Sequence, residues 1–299
     1  MNKADIFESE MVLPDPNLSA MEKTLLGFEV RYGRVRDQLR LLLNINELAE
    51  WNQEHYDGKL ALCDLVTEQY PLVIFHGDVG TGKTVMAECI ANRLISESKS
   101  EDSVLFKLGN RVRGSGKVGE MGTLLIEAFE QVAKSAGKGR RAILLIDEGD
   151  SLAAARSQDH SHHEDKVAVN TLIQRVDDLR RFGGRVVVIL CTNRVLALDP
   201  ALQRRASVIE EFARPSEEER RELFAMDLAA LSLTEAQLDD LVKATDNRGN
   251  AQPTWTYSDI RTRLYPKALA SAFPDRSLCF DDLQTVAVDM KPSPVMEGL

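Results

Sequence analysis

Apolar residues along this chain fall into two patterns. Short β-branched runs occur at Leu72–His76, Val104–Leu108, Ala142–Asp147 and Arg185–Thr192, with a weaker one at Val208–Phe212, and helical spacing fills the gaps between them. Runs that are apolar at every position belong to strands buried on both faces. Their alternation with helices predicts an α/β sheet covered by helices. After Arg214-Pro215 the β-branched runs stop. Ser216 with Glu219, and Thr234 with Gln237, have capping-box spacing, which predicts helices opening there and running to about Leu231 and Thr245. A third helical pattern covers about Ser258–Ala272, with Pro266 expected to kink it. A fourth covers Asp281–Met290. Ahead of the sheet, residues 33–55 carry Leu39, Leu42, Leu43 and Leu48 at helical spacing, and the polar stretch 1–19, with Pro14 and Pro16, reads as a loose arm. The expected organisation is an arm and linker helix over 1–59, a large α/β domain over 60–214 and a small all-α domain over 215–299.

Composition narrows the class without choosing a function. The 299 residues are 43% hydrophobic and 28% charged, which excludes collagen-like, mucin-like and mostly disordered chains. A net charge of -10, from 47 acidic and 37 basic residues, argues against a broad basic footprint on nucleic acid. No apolar run reaches the roughly 18 residues of a membrane helix, and the acidic N-terminal stretch lacks the apolar core of a secretory signal. A cytoplasmic protein with no membrane partner is expected. Cys63, Cys89, Cys191 and Cys279 have neither metal nor disulfide spacing and are expected to be reduced core residues.

The strongest chemical signal is GDVGTGKT, comprising Gly77, Asp78, Val79, Gly80, Thr81, Gly82, Lys83 and Thr84, with Val85 continuing into a helix. It fits the phosphate-loop pattern, and a buried strand precedes it as that pattern requires. Glycines let backbone N–H groups wrap phosphates, and the helix start adds its positive end. Lys83 would reach the β- and γ-phosphates of ATP, and Thr84 would hold Mg²⁺. A second signal, ILLIDE, places Asp147 and Glu148 at a strand's C-terminal edge, where open parallel sheets bind ligands. Asp147 would share Mg²⁺ with Thr84, and Glu148 would activate the attacking water. Asn193 ends the run VVVILCTN, where an amide suits positioning of water and γ-phosphate. In LDPALQRRAS, Arg204 and Arg205 end a short helix, and arginine there stabilises transferring phosphoryl charge.

These four elements in this order, followed by a helical lid, resemble the AAA+ ATPase superfamily over about residues 60–285. The resemblance implies a P-loop three-layer parallel sheet in the order 5-1-4-3-2, followed by a small all-α lid. It also implies a homohexamer with ATP met by an arginine from the neighbouring subunit. Arg205 matches that arginine's motif position better than Arg204. SLAAAR (Ser151–Arg156), the helix Val167–Arg181 and DPALQRRAS look like the pachytene-checkpoint (thyroid-receptor-interactor type) branch. That branch remodels HORMA-domain proteins, and its bacterial members accompany antiphage systems that use nucleotide second messengers. The stretch RTRLYP is similar to the branch's lid motif, in which an arginine reports nucleotide state; Arg261 and Arg263 compete for that role.

Two departures from the branch stand out. The stretch ahead of the ATPase core is expected to be too short for a globular docking domain, which would shift substrate choice to the arm and the pore loops. The first pore loop, within Arg113–Gly122, carries Lys117, Val118 and Gly119 where family members present an aromatic residue. GSGKVG inside it also fits a dinucleotide motif, but lacks the downstream acidic partner. DHSHHED supplies His160, His162 and His163, read as a second pore loop in preference to a metal cluster. The leading reading is an ATP-driven remodeller that opens or disassembles a HORMA-domain partner by pulling its terminus through the ring pore. The alternative is a nucleic-acid motor or helicase loader, with Arg111, Arg113 and Lys117 facing phosphates.

Overall fold

The computed structural model describes residues 6–98, 102–109, 112, 120–137, 139–152, 163–246 and 253–296, without the side chains of 151 and 163–166. Strands Phe7–Leu13 (β1), Leu72–Gly77 (β2), Ser103–Leu108 (β3), Ala142–Ile146 (β4), Val186–Thr192 (β5) and Val208–Phe212 (β6) form one sheet. Its order is β1-β3-β4-β5-β2-β6. β3, β4, β5 and β2 pair in parallel. Every residue of β4 and β5 is buried, as runs apolar on both faces demand. Counted from the first strand after the arm, the order from β6 to β3 is fifth, first, fourth, third, second, which agrees with the expected order.

The sheet is nonetheless mixed rather than purely parallel, because β1 adds to it antiparallel along β3. Over the described residues of the 1–19 stretch this corrects the expectation of a loose arm. Phe7 and Leu13 turn inward while Glu8, Ser9 and Glu10 stay outside, and the Phe7 ring packs 4.9 Å from that of Phe106. The prolines mark a helix start, not a coil. Pro16 opens Pro16–Glu22 (α1), and Asp15 caps it by accepting from the backbone N–H of Asn17 and Leu18. Proline suits that first position because its missing N–H has no intrahelical partner there anyway. The single helical pattern over 33–55 is likewise two helices, Phe28–Leu43 (α2) and Ile45–Tyr56 (α3), broken at Asn44. A short helix, Leu62–Thr67 (α4), leads into β2.

Helices Lys83–Glu97 (α5), Glu120–Ser135 (α6) and His163–Leu179 (α7) follow β2, β3 and β4 in turn, and the short Pro200–Gln203 (α8) precedes β6. Leu125, Ala128, Phe129 and Val132 of α6, with Ala168, Leu172 and Val176 of α7, join Ile74, Phe106, Leu144 and Val188 in one core. Each leucine, isoleucine, valine or phenylalanine among them contributes about 1.5–3 kcal/mol by leaving water. Cys63, Cys89 and Cys191 are buried, and burial pushes the Cys89 thiol up to about 12. Cys279 departs from the core expectation: it is exposed, because it caps a helix rather than filling an apolar run.

The chain divides into two compact units, Met1–His76 with Thr84–Glu211, and Gly77–Lys83 with Phe212–Leu299. In the second, Ser216 and Thr234 make complete capping boxes before Glu217–Asp227 (α9) and Glu235–Ala244 (α10). Asp259–Leu264 is a π-helical turn that passes into Tyr265–Ala272 (α11). Pro266 accounts for it: without an N–H it cannot close the ordinary helical bond, and the preceding turn widens. Phe280–Asp289 (α12), capped at Cys279, packs on α10 and α11. Among the described residues, no helix is long and apolar enough to cross a membrane.

Candidate functional site

The Gly77–Lys83 loop has a backbone that only glycine tolerates at its corners. Gly77, Gly80 and Gly82 have φ of 143°, 78° and 90°. A Cβ at Gly77 would come within 2.1 Å of the Phe212 carbonyl oxygen, and one at Gly80 within 2.8 Å of Thr256 Oγ1. Gly82 has open space around the same position. Lys83 is buried, and its Nζ donates to the carbonyl oxygens of Gly77 at 2.9 Å and Asp78 at 2.8 Å. Thr81 Oγ1 donates to the Asp78 carbonyl at 2.8 Å. The ammonium is thereby fixed within the curl of the loop, where backbone N–H groups and positive charge together suit an anion.

Thr84, the residue after Lys83 on α5, belongs to the other unit. Thr84 Oγ1 donates to Asp147 Oδ2 at 2.7 Å, and Asp147 Oδ1 accepts from the Glu148 backbone N–H at 2.8 Å. A hydroxyl and a carboxylate converging in this way form a hard oxygen pair suited to a divalent cation such as Mg²⁺. Glu148 is exposed and lies in the left-handed region at φ 50°, which costs about 1–2 kcal/mol for a residue with a side chain. The neighbouring contact explains why the chain accepts that turn. A Cβ at Gly149 would stand 2.6 Å from Leu190 Cδ2, so the backbone leaving β4 runs close against β5 and turns sharply.

Asn193 stands at the end of β5, and its backbone N–H donates to Asp150 Oδ1 at 3.3 Å. Thr192 Oγ1 donates to the same oxygen at 3.1 Å. Asp150 therefore ties the tips of β4 and β5 together. Asp150 stands outside the motifs read from the sequence, although a third carboxylate so soon after Asp147 and Glu148 was a visible signal. Glu88, one turn after Thr84 on α5, was also missed. It pairs with Lys107 of β3 at 3.7 Å, and Lys107 reaches Glu8 of β1 at 3.2 Å. Burial pushes the Glu88 carboxyl above its ordinary range against the pull of Lys107, and the charge of Asp147 adds to the rise.

The two arginines after α8 differ in their surroundings. Arg205 binds Asp177 of α7 through Nε at 2.5 Å and Nη2 at 3.0 Å, and donates through Nη1 to the Ala201 carbonyl at 2.9 Å. Its guanidinium also lies 5.2 Å from the Tyr70 ring centroid. Arg204 is exposed. Arg261 and Arg263 are both engaged within their own unit. Arg261 makes a two-pronged ion pair with Asp227, at 2.7 and 2.8 Å. Arg263 binds Asp259 at 2.6 Å and the Lys291 carbonyl at 3.1 Å. Burial penalises the Asp259 carboxylate, yet hydrogen bonds from Ser293, the Thr256 backbone and Arg263 hold it below the usual carboxylate range. Lys117, Val118, Gly119, His160 and His162 lie outside the described residues, as does the side chain of His163, whose backbone opens α7.

Residues 73–214 match the model of the ATPase family associated with various cellular activities (AAA). The chain is 62% identical over 296 residues to CD-NTase-associated protein 6 of Escherichia coli (strain KTE188), with 99% of each covered. Among solved structures it resembles a chain of the E. coli MS115-1 HORMA:CdnC:Trip13 complex, at 34% identity and TM-score 0.91 over 99% of both chains. It also resembles Rhizobiales Trip13, at 31% identity and TM-score 0.72, over 96% of this chain and 99% of that one.

Proposed function

This chain belongs to the AAA ATPase family, in the group of CD-NTase-associated protein 6, and on that premise we propose that it is a homohexameric ATPase that remodels a HORMA-domain protein. The observation that carries the ATPase part is the Thr84–Asp147 contact at 2.7 Å on the helix that continues the Lys83 loop. The partner is argued from likeness to a chain in a complex that contains HORMA and CdnC. In this reading residues 1–59 are the arm and linker, 60–214 the large ATPase domain and 215–299 the lid. ATP turnover pulls the partner's terminus through the ring pore and returns the partner to its open state, which regulates an antiphage nucleotide signal.

The roles follow from the chemistry of each position. The loop N–H groups and the Lys83 ammonium bind the phosphates. Thr84 and Asp147 would hold Mg²⁺, which neutralises phosphate charge when bound. Glu148 takes the proton of the attacking water. Asn193, steadied through its backbone by Asp150, orients that water. Lys117, Val118 and the histidines at 160, 162 and 163 are assigned to the pore.

The experiment that tests the partner uses Glu148→Gln protein immobilised in ATP and offered a purified HORMA-domain protein. Retention in ATP and release in ADP is the expected result. Absence of retention in ATP overturns the partner assignment, and stimulation of turnover by DNA in place of the HORMA protein would move the reading to a nucleic-acid motor.

Arg205 is proposed to act on the ATP of the neighbouring subunit, held ready by Asp177, which occupies one edge of its fork. Arginines in this role are worth about 10³–10⁵ in turnover. Arg205→Ala subunits mixed into wild-type rings are therefore expected to silence wild-type neighbours, whereas Arg204→Ala subunits should leave them largely active. If the Arg205→Ala subunit loses only its own turnover, or if Arg204→Ala is the one that silences neighbours, the assignment is wrong.

A further inference from the structure

The phosphate loop is gripped from behind by a side chain that none of the loop motifs includes. Asp78, the loop's second residue, and Arg214, just past β6, form an ion pair whose side chains are 5% and 9% exposed. Arg214 Nε donates to Asp78 Oδ2 at 2.6 Å. Asp78 Oδ1 accepts from the Val79 backbone N–H at 2.8 Å. The Asp78 carbonyl is one of the two that hold the Lys83 ammonium, and it also accepts from Thr81. The orientation of this one residue therefore sets the first turn of the loop and the place of its lysine.

The rest of the Arg214 fork ends on two other stretches of the same unit. Nη1 donates to the Thr254 carbonyl at 2.6 Å, and Nη2 to the carbonyls of Ser293 and Pro294 at 2.9 and 3.0 Å. Both stretches are themselves tied down. Ser293 donates through its backbone N–H and its hydroxyl to Asp259, which is fully buried. The Ser258 N–H donates to the Gly80 carbonyl at 3.0 Å. The Met296 N–H reaches Asp78 Oδ1 at 3.5 Å. A planar guanidinium with fixed donor directions transmits the position of each acceptor to the others, which the point charge of lysine does not do.

We propose that Arg214 and Asp78 are a positioning pair for the phosphate loop, through which the 291–296 segment sets how tightly that loop holds a nucleotide. The proposal rests on the nucleotide reading above and deepens it. Neither residue touches the reacting atoms, so the pair should act on nucleotide affinity and spare the chemical step.

The test measures KM for ATP and kcat for the wild-type chain, Arg214→Gln, Arg214→Lys, a chain ending at Pro292, and that shortened chain carrying Arg214→Gln. Losing a buried charge-assisted contact that shapes the loop should raise KM about tenfold in Arg214→Gln, with kcat at saturating ATP within about twofold. Arg214→Lys keeps the charge and loses the fork, so its KM should rise almost as far. The shortened chain should shift in the same direction, and the combination should be no worse than Arg214→Gln alone. An unchanged KM, a kcat that falls with KM constant, or fully additive lesions would each overturn the proposal. If Arg214→Gln does not fold, Arg214→Lys and the shortened chain decide the matter by the same criteria. A wild-type chain that neither binds nor turns over ATP would instead remove the nucleotide reading, and the proposal with it.

Discussion

Glu148→Gln is expected to keep ATP binding within a few-fold of wild type while turnover falls by roughly 10²–10⁴, the usual worth of a positioned general base. The side chain stands at the exposed end of β4, beyond a turn held at φ 50°. Glutamine keeps the length and shape of the side chain but cannot take a proton. Asp147 is a separate residue whose contact with Thr84 does not pass through Glu148, so the cation pair should survive the change. Phosphate release and equilibrium binding of a fluorescent ATP analogue, measured on the same preparation, separate the two effects. Turnover within a factor of about five of wild type would remove Glu148 from the chemistry. Loss of binding together with turnover would show that the turn after β4 had collapsed.

Lys83→Ala should act on the opposite step. Truncating one member of a desolvated charge contact costs about 2–5 kcal/mol, which weakens ATP binding by roughly 30-fold to several thousand-fold. Two features of the loop push toward the upper end. Lys83 is buried, and its ammonium holds the carbonyls of Gly77 and Asp78, so the alanine variant loses both the charge and the clasp of the curl. Calorimetric or fluorescence titration with ATP reads the change. An affinity within threefold of wild type would mean that the loop binds something other than phosphate. Because Lys83→Ala acts before binding and Glu148→Gln after it, only the second variant should hold a partner in ATP.

What could be read from the sequence divides along physical lines. β2 to β5 were legible because each is a local run whose burial is written in consecutive residues, whereas β6, with Ile209 and Glu211 exposed, left only a weaker run. The caps at Ser216 and Thr234 were legible because a capping box is complete within four residues. β1 was not. Its seven residues FESEMVL hold three polar positions in succession, and only the antiparallel partner β3 makes them a strand. Pro14 and Pro16 argued for coil until the cap at Asp15 gave Pro16 the first place in α1. At the site, Lys83, Thr84, Asp147 and Glu148 stood in motifs. Arg214 did not, and its pairing with Asp78 of the loop was hidden, since the two are 136 residues apart and nothing local marks them as partners. The difference between Arg204 and Arg205 was equally hidden, because it depends on Asp177 from another helix.

The edge position of β1 has a consequence for how the chain is made. Phe7 pairs with Leu108, so during synthesis at about 5–20 residues per second the strand waits roughly 5–20 s for its partner to be translated. An unpaired strand in that interval is open to pairing with other nascent chains. Glu8 and Glu10 carry charge through the wait, and after docking they remain on the exposed side of the outermost strand. The same two carboxylates thus guard the strand before it has a sheet and the sheet once it has the strand. The edge of the ATPase sheet is completed against the order of the chain, by a segment translated well before the strand it joins.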